Sequence, residues 1–440
     1  MKKLILLSLM LAAVITASAI SLQGAWTGTL TPAPNVDLKL VFHIGEADGK
    51  PTFKLDSPSQ GAFGIPGTVE YLGADSLSVA VPAIGLSYSG RLAGGRIEGT
   101  MRQSGVSFAL SLEPQSPDAL SRPQNPKPPF PYTTKEVSVE NPAGGSVLAG
   151  TLTLPDGADL STPVLVMVTG SGPQNRDEEL FNHKPFAVIA DYLGRCGVAT
   201  LRYDDRGTCA STGDASNATT ADLTGDAGAV VGWLRGRGYK KVGVLGHSEG
   251  GTIAFMLGAK GNADFIVTLG APAVGADTIL AEQSARQLLN AGMPQQVADD
   301  YTAAVLKVYD LKKRGERVDV GAITAGWPPI PIYTQMRNNL QIIATNSNPW
   351  IDYSIAYDPS KDILAVKCPV FAAYGSLDRQ VTPVNYEAMR RYRPNDDVRL
   401  FEGLNHLFQH AVSGDLSEYG EISETISPEV LEAIAAFATR

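Results

Sequence analysis

Residues 241–251 read KVGVLGHSEGG, and this run constrains the fold more than any other part of the chain. It begins as a short apolar strand, turns at Ser248 and continues into a helix. Gly246 and Gly250 flank the serine in the pattern G-x-S-x-G. A serine in such a turn takes a strained backbone conformation, and strand and helix pass too close for side chains at the flanking positions. The pattern is weak by itself, because a chain with 45 glycines in 440 residues supplies matches by chance.

From residue 132 onward, apolar runs alternate with segments of helical periodicity. The predicted strands span 163–169, 198–203, 242–246, 265–270, 370–375 and 398–402, with two leading strands near 137 and at 148–154. Apolar strands separated by helices predict an α/β fold with a mostly parallel sheet and helices on both faces. The alternation of strands and helices is interrupted at about 275–365. An insertion of this size is interpreted as a helical cap over a site, and a surface elaboration is the alternative.

Residues 20–114 carry a different pattern, in which short alternating runs are separated by glycine-containing turns. Examples are 38–44, 68–72, 76–81, 86–92, 96–101 and 106–112, after a first strand that holds Trp26. This spacing predicts a small antiparallel β domain, either a sandwich or a barrel. The polar segment 56–61 is a candidate binding loop, although a plain turn is favoured, and His43 is interpreted as structural. Seven prolines at 114–131 predict a semi-rigid linker over 115–131, so that a second domain spans 132–440.

The first nineteen residues have the composition of an export signal. Lys2 and Lys3 precede an apolar run at 4–15, and Ala17-Ser18-Ala19 supplies a small-x-small cleavage site. A membrane anchor is the alternative, but so short an apolar run does not span about 30 Å of hydrocarbon. The expected location is therefore exported, periplasmic or secreted, without a stable membrane anchor.

Charge and cysteine content argue against nucleic-acid-binding, membrane-surface and disulfide-rich proteins. The net charge of −9 disfavours nucleic acid and anionic membrane surfaces as partners. Three cysteines do not resemble a disulfide framework. Cys196 and Cys368 adjoin predicted core strands and are expected to be buried thiols, whereas a bridge from Cys209 stays open. The oligomeric state is not indicated.

A serine hydroxyl becomes a good nucleophile only beside a base that is itself oriented by a carboxylate. After Ser248 the chain offers only two histidines, and His406 follows the last predicted strand directly. Asp378 follows the strand at 370–375 and is the candidate acid. Asp396 and Asp397 precede a strand and fall at the wrong edge of the sheet. Ser248, Asp378 and His406 thus form a candidate catalytic triad, each placed just past the carboxyl end of a strand.

Several separate motifs in residues 132–440 resemble the α/β-hydrolase superfamily. They are TGSGPQNRDE at 169–178, HKPF at 183–186, LRYDDRG at 201–207, GHSEGG at 246–251, Pro349-Trp350, YDP at 357–359 and NHLFQ at 405–409. The chain is most similar to a subgroup of exported bacterial serine esterases that carry an N-terminal β domain. One departure is Cys209, which stands where such a loop commonly has a second glycine.

The resemblance implies an oxyanion hole, which the strand–turn–helix geometry also favours. Its donors are expected to be the backbone N–H of Glu249 and that of Ser171, with Gly172 as the second choice for the latter. Four further residues are candidate substrate contacts: His183, His247, Trp350 and Tyr353. The alternative for His183 is a structural role at the start of a helix, and for His247 it is packing at the serine turn. Trp350 and Tyr353 could instead belong to a hydrophobic core of the cap.

The sequence therefore predicts a serine hydrolase that cleaves small-molecule carboxylic esters through an acyl-enzyme. No metal or organic cofactor is expected, because no cluster of histidines and cysteines has ligand spacing. A serine peptidase of short peptides is the first alternative, since the same triad serves amides. A non-catalytic carbohydrate- or lipid-binding protein is the second alternative.

Overall fold

A computed structural model describes residues 22–33, 36–47, 49–57, 62–103, 105–115, 122–346 and 348–440. The chain divides into two compact units, Met1–Pro117 and Asp118–Arg440. The predicted signal at 1–19 lies outside the described residues, as do 58–61 of the candidate binding loop. No helix in the described part of the chain is long and apolar enough to cross a membrane.

The first unit is a closed antiparallel barrel. Its strands are β1 (Gly24–Ala33), β2 (Val36–Ala47), β3 (Lys50–Ser57), β4 (Ala62–Leu72), β5 (Ser76–Val81), β6 (Leu86–Ala93), β7 (Arg96–Gln103) and β8 (Val106–Pro114). β1 closes the barrel by pairing with β8. Alternate side chains fill the interior, where the ring of Phe42 lies 5.1 Å from the rings of both Phe53 and Tyr88. His43 pairs with Asp56 at 2.6 Å on β2 and β3, a structural contact as expected.

The second unit is built on an eight-stranded sheet in the order β16-β15-β14-β13-β11-β12-β10-β9. The strands are β9 (Tyr132–Asn141), β10 (Ser146–Pro155), β11 (Val164–Val168), β12 (Ala199–Tyr203), β13 (Val242–His247), β14 (Ile266–Leu269), β15 (Val370–Gly375) and β16 (Asp397–Phe401). β9 and β10 pair antiparallel, and β10 joins β12 antiparallel. The other neighbours are parallel. Because β11 to β16 run parallel, their carboxyl ends meet at one edge, where loops can converge on a site.

Helices cover both faces of this sheet. They are α1 (Pro185–Arg195), α2 (Thr220–Gly236), α3 (Glu249–Ala259), α10 (Pro383–Tyr392) and α11 (Pro428–Ala438). α1 and α11 contribute to one hydrophobic cluster, and α2, α3 and α10 to another. A capping box of Thr219 and Asp222 starts α2, and proline occupies the first turn of α1, α10 and α11. These local signals are the ones that predict helix starts from sequence.

The segment between β14 and β15 forms a helical insertion with its own core. It contains α4 (Ala276–Asn290), α5 (Gln295–Lys313), α6 (Val320–Ile323), α7 (Pro331–Thr345), α8 (Pro349–Ala356) and α9 (Pro359–Ala365). Its buried cluster includes Tyr301, Val305, Met336 and Leu340. We call this insertion the cap, because side chains from it line the cavity described below.

All three cysteines are free. The expectation that Cys196 is buried is wrong, because it lies in the exposed turn after α1 and before β12. Cys368 is half-buried ahead of β15. Cys209 is exposed and has φ of 49°, a left-handed conformation that favours glycine. The departure from the commoner glycine therefore falls at a position where a side chain is strained.

Candidate active site

Ser248 occupies the turn between β13 and α3, with φ of 52° and ψ of −118°. The flanking glycines are required sterically. A Cβ on Gly246 would lie 2.0 Å from the carbonyl oxygen of Gly250, and a Cβ on Gly250 would lie 2.1 Å from that of Val168. The close approach predicted from the sequence pattern is thus present, and it holds the serine in a left-handed conformation that L-residues rarely adopt.

His406 and Asp378 are joined by a hydrogen bond. His406 lies in the loop after β16, and its Nδ1 is 2.7 Å from Oδ2 of Asp378 in the loop after β15. The other carboxylate oxygen accepts hydrogen bonds from the backbone N–H groups of Gln380 and Val381, both at 2.8 Å. Three hydrogen bonds thus hold this fully buried carboxylate in place. An acceptor at Nδ1 places the proton there, so that Nε2 keeps a free lone pair.

Ser248 and His406 line the same cavity, which has a volume of about 530 Å³. The cap supplies one side of it through Ile279, Leu280, Trp350 and other residues. The serine, the histidine and the aspartate come from the loops after β13, β16 and β15, at the shared carboxyl edge of the sheet. Chain positions up to 158 residues apart thus converge there, as their placement after strands predicts.

The two residues predicted to form the oxyanion hole line the same cavity as Ser248. Glu249 is the first residue of α3, so its N–H belongs to the free donors at a helix N-terminus. Ser171 lies in the loop after β11 and lines the cavity. Its neighbour Gly170 donates its N–H to Oε1 of Glu178 at 2.8 Å, which anchors the loop from behind.

Glu178 was not singled out from the sequence, and the structure gives it a central place. It is 4% exposed and has φ of 53°. The same Oε1 that accepts the N–H of Gly170 also lies 2.9 Å from Nδ1 of His247. Nε2 of His247 lies 3.0 Å from the backbone carbonyl oxygen of His406. His247 was predicted to contact substrate. It does line the cavity, but both of its ring nitrogens are engaged by protein groups.

The side chain of Glu249 links α3 to the cap. Its Oε1 accepts hydrogen bonds from Oγ1 of Thr220 at 2.6 Å and from Nε1 of Trp350 at 2.7 Å. Its Oε2 is buried without a hydrogen-bond partner among the described residues. Trp350, a predicted substrate contact, lines the cavity and also a second one of about 400 Å³. We call this second space the adjoining cavity. It also includes Gly172 and Leu223 in its wall.

The structure places the other two predicted contacts outside the cavity wall. His183 is fully buried, with Nδ1 2.8 Å from Oγ1 of Thr425 and Nε2 3.1 Å from the carbonyl oxygen of Tyr419. Burial lowers the pKa of His183 to about 4, so it is a neutral structural histidine. Tyr353 stacks on Tyr357 with ring centroids 6.0 Å apart, and Tyr357 is the residue that lines the cavity. The YDP motif at 357–359 was the signal for it.

A fourth acidic residue, Asp205, contacts the loop of Ser171. Asp205 accepts hydrogen bonds from Oγ1 of Thr169 at 3.0 Å and from the N–H of Gln174 at 2.9 Å. Burial raises its pKa to about 7, with the nearby charges of Glu178 and Glu249 adding to the rise. This carboxyl therefore braces the loop that contains Ser171.

Comparison with known proteins identifies the class. The sequence model of the α/β hydrolase fold family matches residues 163–410, which is more than half of the chain. The protein therefore belongs to the α/β-hydrolase fold family, and the predicted fold class, with a small all-β domain ahead of it, is confirmed.

An esterase is among the proteins to which this chain is similar. Esterase EstD of Thermotoga maritima is 25% identical over 291 residues, which are 65% of this chain and 62% of that protein. The chain thus spans less than two thirds of that relative. Among solved structures, proline iminopeptidase of Mycobacterium smegmatis is 18% identical with a TM-score of 0.43, over 69% of this chain and 98% of that one. Est1E of Butyrivibrio proteoclasticus, with ferulic acid bound, is 15% identical with a TM-score of 0.41, over 69% and 98%.

Proposed function

We propose that this protein is an exported serine hydrolase that cleaves carboxylic esters. The observation that carries the proposal is the His406–Asp378 hydrogen bond at 2.7 Å in the cavity lined by Ser248. The name of the Thermotoga maritima relative favours an ester as the substrate. The charged and apolar run at the amino terminus favours export to the periplasm or beyond the cell.

The proposed reaction runs in two halves. Nε2 of His406 takes the proton of the Ser248 hydroxyl as its oxygen bonds to the ester carbonyl carbon. The resulting oxyanion accepts hydrogen bonds from the N–H groups of Glu249 and Ser171, each contributing about 3–4 kcal/mol to transition-state stabilisation. The imidazolium then gives its proton to the leaving alcohol. Water, deprotonated by the same histidine, attacks the acyl-enzyme and releases the acid. Asp378 orients the ring and stabilises its charged form throughout.

Replacement of the serine tests this proposal. Ser248→Ala should lower kcat on a short-chain nitrophenyl ester by about a million-fold, because the bond to the carbonyl carbon cannot form. A fluorophosphonate probe should label the parent protein and not the variant. Ser161→Ala, a change in an exposed loop, is the matched control and should keep full activity. Retained turnover or labelling in Ser248→Ala would exclude Ser248 as the nucleophile.

One observation favours a second candidate, a peptidase of short peptides. The buried Oε2 of Glu249 lacks a partner among the described residues, and a substrate ammonium group would provide one. Aminoacyl-anilide turnover that exceeds ester turnover would favour this alternative. An ester panel that varies acyl length and includes acetylated and feruloylated sugars would define the substrate class of the esterase.

A further inference from the structure

His247, the residue before the proposed nucleophile, lies between two hydrogen-bond acceptors. Nδ1 is 2.9 Å from a carboxylate oxygen of Glu178, and Nε2 is 3.0 Å from the backbone carbonyl oxygen of His406. A neutral imidazole carries only one N–H, so it would leave one of these nitrogens with a lone pair against an acceptor. Turning the ring over would place carbon atoms at both contacts. Only the doubly protonated ring satisfies both acceptors.

The charged groups around His247 favour that form. Glu178 faces it from the loop after β11, and Asp378 acts on it from the loop after β15. The ring of His406, from the loop after β16, lies with its centroid 4.6 Å away. Glu249, the residue directly after Ser248, is the first residue of α3. Burial alone lowers the pKa of His247, but the Glu178 carboxylate and the two hydrogen bonds raise it above its ordinary value.

The pair of His247 and Glu178 also connects two parts of the site. The same Oε1 that faces His247 accepts the N–H of Gly170, next to Ser171. On its other side, His247 holds the main chain of His406. Both residues of the pair are at least nine-tenths buried, so water does not compete for these bonds. The oxyanion loop and the base are thus connected through one ring.

We propose that His247 is a positioning residue, held as an imidazolium between Glu178 and the main chain of His406. This ion pair sets where the His406 ring stands relative to Ser248 and Ser171. The inference rests on the proposed roles of Ser248 and His406 and goes beyond them. At high pH, loss of the His247 proton removes one of its two hydrogen bonds, and the base loses its position.

The first test needs no turnover. Side-chain ¹⁵N spectra of the uniformly labelled protein contain only five histidines, and His247→Gln assigns the signals of residue 247. Near neutral pH, both nitrogens of His247 should show the shifts of a protonated ring. A neutral pattern, with one protonated and one unprotonated nitrogen, would overturn the proposal. This result does not depend on whether the protein is an esterase.

The second test measures kinetics in Glu178→Gln, which keeps size and an acceptor for Gly170 but removes the charge. We expect kcat to fall roughly 10- to 100-fold with little change in KM, because the base rather than the substrate is displaced. The alkaline limb of the pH profile should move to lower pH, since the pKa of His247 falls without the carboxylate. A merely structural loss would lower the folded fraction without moving that limb.

Asp75→Asn is the control, because it also removes the charge of a paired carboxylate: Asp75 pairs with Arg91 at 3.0 Å in the barrel. It should leave kcat and the pH profile unchanged. A folded Glu178→Gln variant with parental kcat and an unmoved alkaline limb would contradict the inference. If the parent protein hydrolyses no ester, the proposed function fails, and the ¹⁵N spectra still decide the protonation state of His247.

Discussion

Asp205 shows how burial of one side chain can make stability depend on pH. Its pKa is raised to about 7, whereas an aspartate in an unfolded chain titrates near 4. Between these values the folded protein keeps a proton that the unfolded chain has released, so the free energy of unfolding falls as pH rises. Asp205→Asn removes this effect. An Asn side chain can still accept from Gln174 and donate to Thr169.

We therefore expect the stability of Asp205→Asn relative to the parent to rise by roughly 1 kcal/mol per pH unit between about pH 5 and 7. Chemical denaturation at several pH values measures this difference. Asp214→Asn, in an exposed part of the same loop, is the control. Hydrogen bonds from Ser216 lower the pKa of Asp214. The stability of Asp214→Asn relative to the parent should therefore not rise with pH. If the stability of Asp205→Asn relative to the parent did not change with pH, the prediction would be contradicted.

Single residues differ in how far sequence could predict their place. Ser248, Asp378 and His406 were predicted as a set because each follows a strand, and strand ends in a parallel sheet share one edge. Glu178 could not be found in this way. Its role depends on one carboxylate oxygen meeting both Gly170 and His247, and no periodicity encodes such a contact. His183 belongs to one of the motifs that carry the family resemblance, yet its hydrogen-bond partners lie more than 200 positions away in sequence.

At the scale of elements, helix α8 of the cap is expected to control substrate size. Trp350 lies on this helix and lines both the cavity of about 530 Å³ and the adjoining one of about 400 Å³. Trp350→Ala should join the two spaces. We expect kcat/KM for long-chain relative to short-chain esters to rise about tenfold, a scale typical of one or two methylene groups in an apolar pocket.

Trp327→Ala is the matched control, because Trp327 belongs to the same cap but packs on Tyr333 with ring centroids 5.1 Å apart. It should leave the chain-length preference unchanged. An ester panel of increasing acyl length measures both variants. An unaltered preference in Trp350→Ala would mean that the indole does not separate the two spaces for substrate.

Elements with strong local signals agree best with the structure. Pro383 and Pro428 occupy the first positions of α10 and α11, where the fixed φ of proline suits a helix start. β3 carries a weak pattern, since only Phe53, Leu55 and Ser57 are buried along it. Its place is fixed by pairing with β2 and β4, which are contacts between strands rather than within one. The cap was predicted from a lapse in alternation, but its helical packing was not.

At the scale of the whole molecule, each of the two units has its own hydrophobic core. The core of the barrel is formed by residues of β1 to β8 and Leu22. Phe42→Ala removes a fully buried ring from it and should cost about 3–5 kcal/mol in the unfolding of that unit. Calorimetry should show a lowered transition for the barrel, with the transition of the second unit retained.

Phe371→Ala is the matched control, since this ring is fully buried in the sheet of the second unit. It should lower the other transition. A single transition that moves equally in both variants would show that the two cores unfold together. Ester hydrolysis, measured alongside, should follow the second unit.

The direct pairing of β14 with β15 has a consequence for how this protein can change. Ile266 stands opposite Val370, although the whole cap lies between them in sequence. β14 and β15 pair directly, whatever lies between them in sequence. The hydrogen bonds of the sheet therefore do not depend on the length or composition of the inserted helices. Helices α4 to α8 of the cap, which share their own core, therefore form an exchangeable module, whereas Ile363 of α9 packs in the core of the sheet. Recombination or engineering could replace residues 276–356 and give the same Ser248, His406 and Asp378 a different range of molecules to work on.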